Sequence, residues 1–144
     1  MIVNTAYIYM GSGGGGGEPA NPNLWQDGVS NYPVELTNSS INATGLKFIT
    51  GEGDATFSEL PLTYFNRLTL TGRITSGPSR TSEISIEFYS SDNVLIGTTT
   101  AEFKRSKISV TVDIPSSAKI QNAKIKIKKT DYYSSLTFSS ALLS

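Results

Sequence analysis

Three groups of residues could carry chemistry in this chain, and each limits what that chemistry is. Carboxylates cluster at Glu52, Asp54 and Glu59 and again at Glu83 and Glu87. A carboxylate pair about 5–10 Å apart is the minimum for acid-assisted hydrolysis of a glycosidic bond. Gly51-Glu52-Gly53-Asp54 is also a tight oxygen-rich loop. Glu52 and Asp54 are therefore the candidate ligands for a hard cation such as a structural calcium, although the spacing is not that of an EF-hand. The aromatic residues Trp25, Tyr32, Tyr64, Tyr89, Tyr132 and Tyr133 are the available stacking platforms. Tyr132-Tyr133 sits in the polar stretch Thr130–Ser135, where adjacent side chains on extended backbone face opposite ways and at least one ring reaches solvent. Trp25, Tyr132 and Tyr133 are the candidate ligand contacts, because apolar C–H faces of sugar rings stack on such rings. Trp25 has a second reading, as a cover on one end of the core.

Other chemistry is excluded by composition. The 144 residues contain no histidine and no cysteine. That removes His-dependent triads, thiol nucleophiles, thiolate zinc sites and disulfides. The run Gly11-Ser-Gly-Gly-Gly-Gly16 satisfies the spacing of a dinucleotide fingerprint. It is followed by Glu18-Pro19 rather than a helix, and the fingerprint requires a helix N-terminus there. Lys119, Lys124, Lys126, Lys128 and Lys129 suggest a basic face, but no nucleic-acid-binding aromatic signature interleaves with them. Twelve bases balance twelve acids. The expectation for the lysines is protection of an edge strand. No catalytic residue, nucleic-acid partner or membrane partner is expected, and no apolar run approaches the roughly 20 residues of a membrane span.

The elements that must position these residues are strands. Leu68, Leu70 and Ile74 alternate with Arg67, Thr69, Thr71 and Arg73, and Ile84, Ile86 and Phe88 alternate with Ser85, Glu87 and Tyr89. Ser90–Asn93 is a turn leading into Val94–Ala101, which together make a hairpin. Ile108, Val110, Val112 and Ile114 form another inward face, ended by Pro115. Lys124–Lys128 is the cleanest alternation, and Leu136–Leu142 closes the series. Residues 33–60 are less regular and predict two or three short strands. No segment repeats apolar residues every 3.6 positions, so the predicted class is all-β, an antiparallel sandwich of jelly-roll type spanning residues 24–144.

Ahead of it lie two different segments. Residues 11–23 are rich in glycine and proline and predict a flexible tether. Residues 1–10 are apolar and strand-like, with Ile2, Val3, Tyr7, Ile8, Tyr9 and Met10 as the candidate contacts to a partner. Charge is also uneven: residues 1–66 carry a net −5 and residues 67–144 a net +5. Complementary halves of one folded body would account for this split.

From Phe57 onward the order of strands and turns resembles the galactose-binding-like jelly roll of carbohydrate-binding modules. The features are Leu70-Thr-Gly-Arg-Ile74, the Glu83–Ala101 hairpin, Val110–Pro115 and Ala123–Lys128. The strand-like start, glycine tract and Asn21-Pro-Asn-Leu-Trp25 resemble small accessory virion proteins of tailed bacteriophages. The two resemblances together imply a non-enzymatic virion accessory protein, for capsid decoration or tail association, assembled in the bacterial cytoplasm. It would attach to other virion proteins through residues 1–10, in multiple copies or as a homo-oligomer, and display a sandwich able to touch host-surface glycans. The alternative is a carbohydrate-binding module that holds its glycan on exposed aromatics.

Overall fold

Alternating apolar and polar residues force extended backbone with one face turned inward. The computed structural model describes residues 20–144 and is built accordingly. Twelve strands follow in chain order: β1 Trp25–Gln26, β2 Val29–Ser30, β3 Val34–Thr37, β4 Ser39–Asn42, β5 Gly45–Phe48, β6 Gly53–Leu60, β7 Arg67–Ser76, β8 Thr81–Tyr89, β9 Leu95–Lys104, β10 Ile108–Asp113, β11 Ala123–Lys129 and β12 Ser135–Leu143. Single turns of 3-10 helix cover Leu62–Tyr64 and Ser116–Ala118. Strands β1 and β2 pair as a small hairpin. The others form two antiparallel five-stranded sheets, ordered β10-β7-β12-β5-β4 and β3-β6-β11-β8-β9. No helix among the described residues is long and apolar enough to cross a membrane.

The sheets meet through their apolar faces. Leu68, Leu70, Leu46, Phe48, Leu136 and Phe138 from the first bury against Phe57, Ile84, Ile86, Phe103, Ile125 and Ile127 from the second. Phe138 is the joint: its ring meets Phe103 edge-on at 4.9 Å and Phe48 at 5.8 Å, one partner from each sheet. The expected β-sandwich is the observed one. Residues 20–23 also belong to this body, since the Pro22 carbonyl accepts from Leu143 N–H at 2.7 Å and Asn23 bridges to Leu142.

Two expectations are corrected. Residues 33–60 hold four strands, β3 to β6: β4 and β5 form a hairpin whose turn ends at Gly45 (φ 120°). Asn38 and Gly51, with left-handed backbone (φ 52° and 93°), lie where the chain passes between the two sheets. Strand β11 is the centre of its sheet, flanked by β6 and β8, so its lysines do not guard an edge. Lys124, Lys126 and Lys128 face outward beside acidic and hydroxyl neighbours instead, while Lys129 turns inward. Lys126 is paired in register with Thr56 and Glu87, and Lys128 with Asp54 and Ser85. The acidic and basic halves of the sequence thus meet across the β6–β11 ladder.

Candidate functional site

Five loops converge at the end of the sandwich where β11 stops. The β11–β12 loop presents Tyr132 and Tyr133, 65% and 68% exposed, with ring centroids 5.6 Å apart and planes at 73°. With two-thirds of each tyrosine exposed, the placement of the rings rests largely on the backbone beneath them. Gly51 N–H, from the β5–β6 loop, donates to the Tyr132 carbonyl at 2.6 Å. Tyr133 N–H donates to Asp131 Oδ1 at 2.9 Å, closing a turn at the base of the pair. Asn38 Nδ2, from the β3–β4 turn, donates to the Glu52 carbonyl at 3.0 Å. From the β7–β8 turn, Ser79 N–H donates to Ser134 Oγ at 3.2 Å, and the Gly77 carbonyl of the same turn accepts from the Arg105 guanidinium of the β9–β10 loop. Gly77 has φ 100°, and a Cβ there would lie 2.7 Å from Ser134 Cα, so only glycine lets this turn press against the tyrosine loop.

Beneath the rings lies a buried polar cluster. Lys129 is fully buried, and its Nζ donates to the Gly51 carbonyl at 2.6 Å and to the Asp131 carbonyl. Burial pulls this ammonium below the ordinary lysine range, while the charges of Asp131 and Glu52 oppose the shift. For the Asp131 carboxyl, burial pushes upward but is outweighed by the Tyr133 N–H, the hydroxyls of Ser79 and Ser82 and the charge of Lys129. Its pKa is lowered as a result. Asp131 Oδ2 and Ser82 Oγ are buried, and neither forms a hydrogen bond of full geometry among the described residues. The Ser79 and Ser82 hydroxyls thus favour the carboxylate from close range rather than through formed bonds.

A second feature lies on the outer face of the β3-β6-β11-β8 strands. A shallow groove of about 330 Å³ is lined by Glu35, Thr56, Ser58, Tyr89, Asn93, Lys124 and Lys126. Its one aromatic ring is already engaged. Tyr89 O–H donates to Glu87 Oε1 at 2.7 Å, and Lys126 Nζ sits 5.5 Å from the ring centroid. The hydrogen bond to Glu87, then burial and the charges of Glu87 and Asp54, push the phenol up to about 12. Lys124 Nζ donates to Asn93 Oδ1 at 2.6 Å. Asp54 lies beside the groove, outside its lining. Burial raises its carboxyl pKa, Lys126 and Lys128 pull it back, and Glu35 and Glu87 add to the rise.

Of the residues singled out by sequence, the structure joins Tyr132 and Tyr133 in one exposed pair, places Glu52 on the adjoining β5–β6 loop, and separates Trp25 and Asp54 from it. Trp25 is only 5% exposed; it stacks on Phe57 at 5.9 Å and donates through Nε1 to the Ser139 carbonyl at 3.3 Å. It is a core side chain, in line with its second reading as a cover on one end of the core and against its reading as an exposed ligand platform. Glu52 and Asp54 also part company. Asp54 points out of the β6 face toward lysines, the Gly51 carbonyl is held by Lys129, and the Glu52 carbonyl is held by Asn38. The oxygens of this loop do not fit a calcium ion, and no group of three or more acidic side chains suited to a metal occurs among the described residues. The anchoring residues Ile2, Val3, Tyr7, Ile8, Tyr9 and Met10 lie outside the described residues. Sequence reasoning missed Lys129 and Asp131. The signal for Lys129 was its position: next to Lys128, it falls on the Ile125 and Ile127 face of the strand.

No family profile and no curated protein sequence matches this chain. Solved structures do share its shape. A carbohydrate-binding module specific for non-crystalline cellulose superposes with a TM-score of 0.56 at 10% identity, over 89% of this chain and 95% of that one. A module from a study of promiscuous carbohydrate-binding modules of the β-sandwich superfamily gives 0.50 at 14% identity, over 89% of this chain and 62% of its own. The chain also matches 29% of the length of an arabinose-bound α-L-arabinofuranosidase, with a TM-score of 0.47 and 9% identity. At these identities the likeness establishes the fold: a β-sandwich of the kind used by carbohydrate-binding modules.

Proposed function

We propose that this protein is a non-catalytic glycan-binding module whose contact surface is the Tyr132–Tyr133 pair. The observation that carries the proposal is the exposure of both rings on a loop whose backbone is hydrogen-bonded to its neighbours. Large apolar rings left in water at a fixed angle offer a face and a wall to a sugar ring, and little ordering remains to be done on binding. The fold is compatible with this reading but does not by itself imply it, since one sandwich hosts many functions. Hydroxyl-rich surroundings suit an uncharged or weakly charged saccharide, and the chain lacks the histidine and cysteine of common hydrolytic sites.

The test is a glycan array with the full chain, followed by titration of the strongest hit. Tyr132→Ala and Tyr133→Ala are expected to weaken binding about tenfold each with unfolding midpoints unchanged. Binding that survives both substitutions rules the pair out. Attachment to a bacteriophage particle through residues 1–10 rests on the sequence alone, and the structural neighbours favour glycan recognition over it.

A further inference from the structure

Lys129 ends β11 on its inward face, in line with Ala123, Ile125 and Ile127, and is as buried as they are. An ammonium in that position is strongly destabilising unless acceptors and negative charge surround it. Both do. The carbonyls of Gly51 and Asp131 accept from Nζ, and the carboxylates of Asp131 and Glu52 lie close enough to favour the charged form. Main-chain carbonyls flanked by carboxylates are the donor set of a hard cation. The loop whose sequence suggests calcium therefore already holds a cation, supplied by the chain itself. The two carbonyls come from different loops, and Gly51 in turn donates its N–H to the Tyr132 carbonyl. A single ammonium thus ties the β5–β6 loop to the peptide units that carry the tyrosines.

We propose that the Lys129 ammonium is a built-in replacement for a structural cation that fixes the orientation of the Tyr132–Tyr133 pair. Lys129 is a positioning residue, and its importance for binding rests on the glycan reading above; the clasp itself is measurable without ligand. A residue that merely fills the end of the core would stabilise the whole sandwich evenly. A clasp protects the tip selectively.

Lys129→Met keeps the length of the side chain and removes its charge. Amide hydrogen exchange in the full-length variant compares the tip donors Gly51 and Tyr133 with Ile86 and Ile127 in the middle of the sheet. The expected result is exchange at the tip accelerated at least about tenfold beyond any change at the sheet positions, with weaker binding of whichever glycan the wild type takes. Equal acceleration at all four positions, or none at the tip, overturns the proposal. A second measurement uses the wild-type chain: calcium or terbium is added while the resonances of Gly51, Glu52 and Asp131 are followed. Unmoved signals are expected, because the ammonium already occupies the carbonyls, and a saturable shift there overturns the clasp. A wild type that binds no glycan removes the proposed function and leaves the clasp to be decided by exchange rates alone.

Discussion

The tyrosine tip and the outer groove contain the same kinds of side chain in opposite arrangements. At the tip the ammonium of Lys129 and the carboxylate of Asp131 are turned inward onto backbone, and the aromatic rings meet each other edge-on and are otherwise largely exposed. In the groove the aromatic ring is the satisfied member: Glu87 takes the Tyr89 hydroxyl and Lys126 lies over its face. The difference teaches that exposure of a ring identifies a binding surface only when the polar groups around it are spent on holding the backbone. Where they are spent on the ring, the ring is structural.

The comparison breaks most visibly at Gly77. Gly77→Val adds a branched side chain at φ 100° against the backbone of Ser134, and is expected to cost about 3 kcal/mol. Thr56→Val in the groove should stay within about 0.5 kcal/mol, and comparable losses in denaturant unfolding would show that the tip is no more tightly determined than the groove. Binding gives the next contrast. Tyr132→Ala should weaken glycan binding about tenfold, whereas Tyr89→Phe should leave affinity unchanged and cost about 1 kcal/mol of stability for the lost hydrogen bond. Affinity lost on Tyr89→Phe but kept on Tyr132→Ala would move the site to the groove.

The smallest effect is in acid and has opposite signs in the two regions. Asp131 has a folded pKa below its ordinary 3.8. It contributes stability that is present above that value and is lost as pH falls through the lower folded one. Asp54 has a folded pKa above 3.8. Its charged form is disfavoured in the fold, so lowering the pH through that raised value relieves a cost, with the relief complete below 3.8. Unfolding of Asp54→Asn across this range should lack the relief and differ from wild type by no more than about 0.5 kcal/mol at neutral pH. Asp131→Asn should instead flatten the acid loss. Curves of the same shape for both variants would refute the assigned environments.

Much of the fold is legible in the residues. The alternations of Leu68–Leu70, Ile84–Phe88 and Ile125–Ile127 each placed a buried face correctly, because a period of two has only one extended solution. For the Tyr132–Tyr133 loop the polar surroundings predict at least one solvent-facing ring; that both are exposed is decided by the loop's backbone, which does not alternate as a strand would. For Trp25 the sequence left two readings open, since an isolated aromatic after a polar stretch carries no period, and the stacking on Phe57 decides for the core one. The edge reading of β11 failed because strand order depends on pairings between distant segments, such as Lys128 with Asp54, that no local pattern contains.

By itself, then, the sequence determined the strand class, the inward faces and the absence of histidine and cysteine chemistry, all of which follow from residue type and short-range periodicity. The tertiary structure decided which strand is central, that Trp25 is core, and that the Lys129 ammonium reaches the Gly51 carbonyl. Those outcomes rest on contacts between segments far apart in the chain, such as the 78 positions that separate Gly51 from Lys129. Such contacts form only when loops at one end of a folded sandwich are brought together, and their geometry is a property of the packing rather than of any stretch of residues.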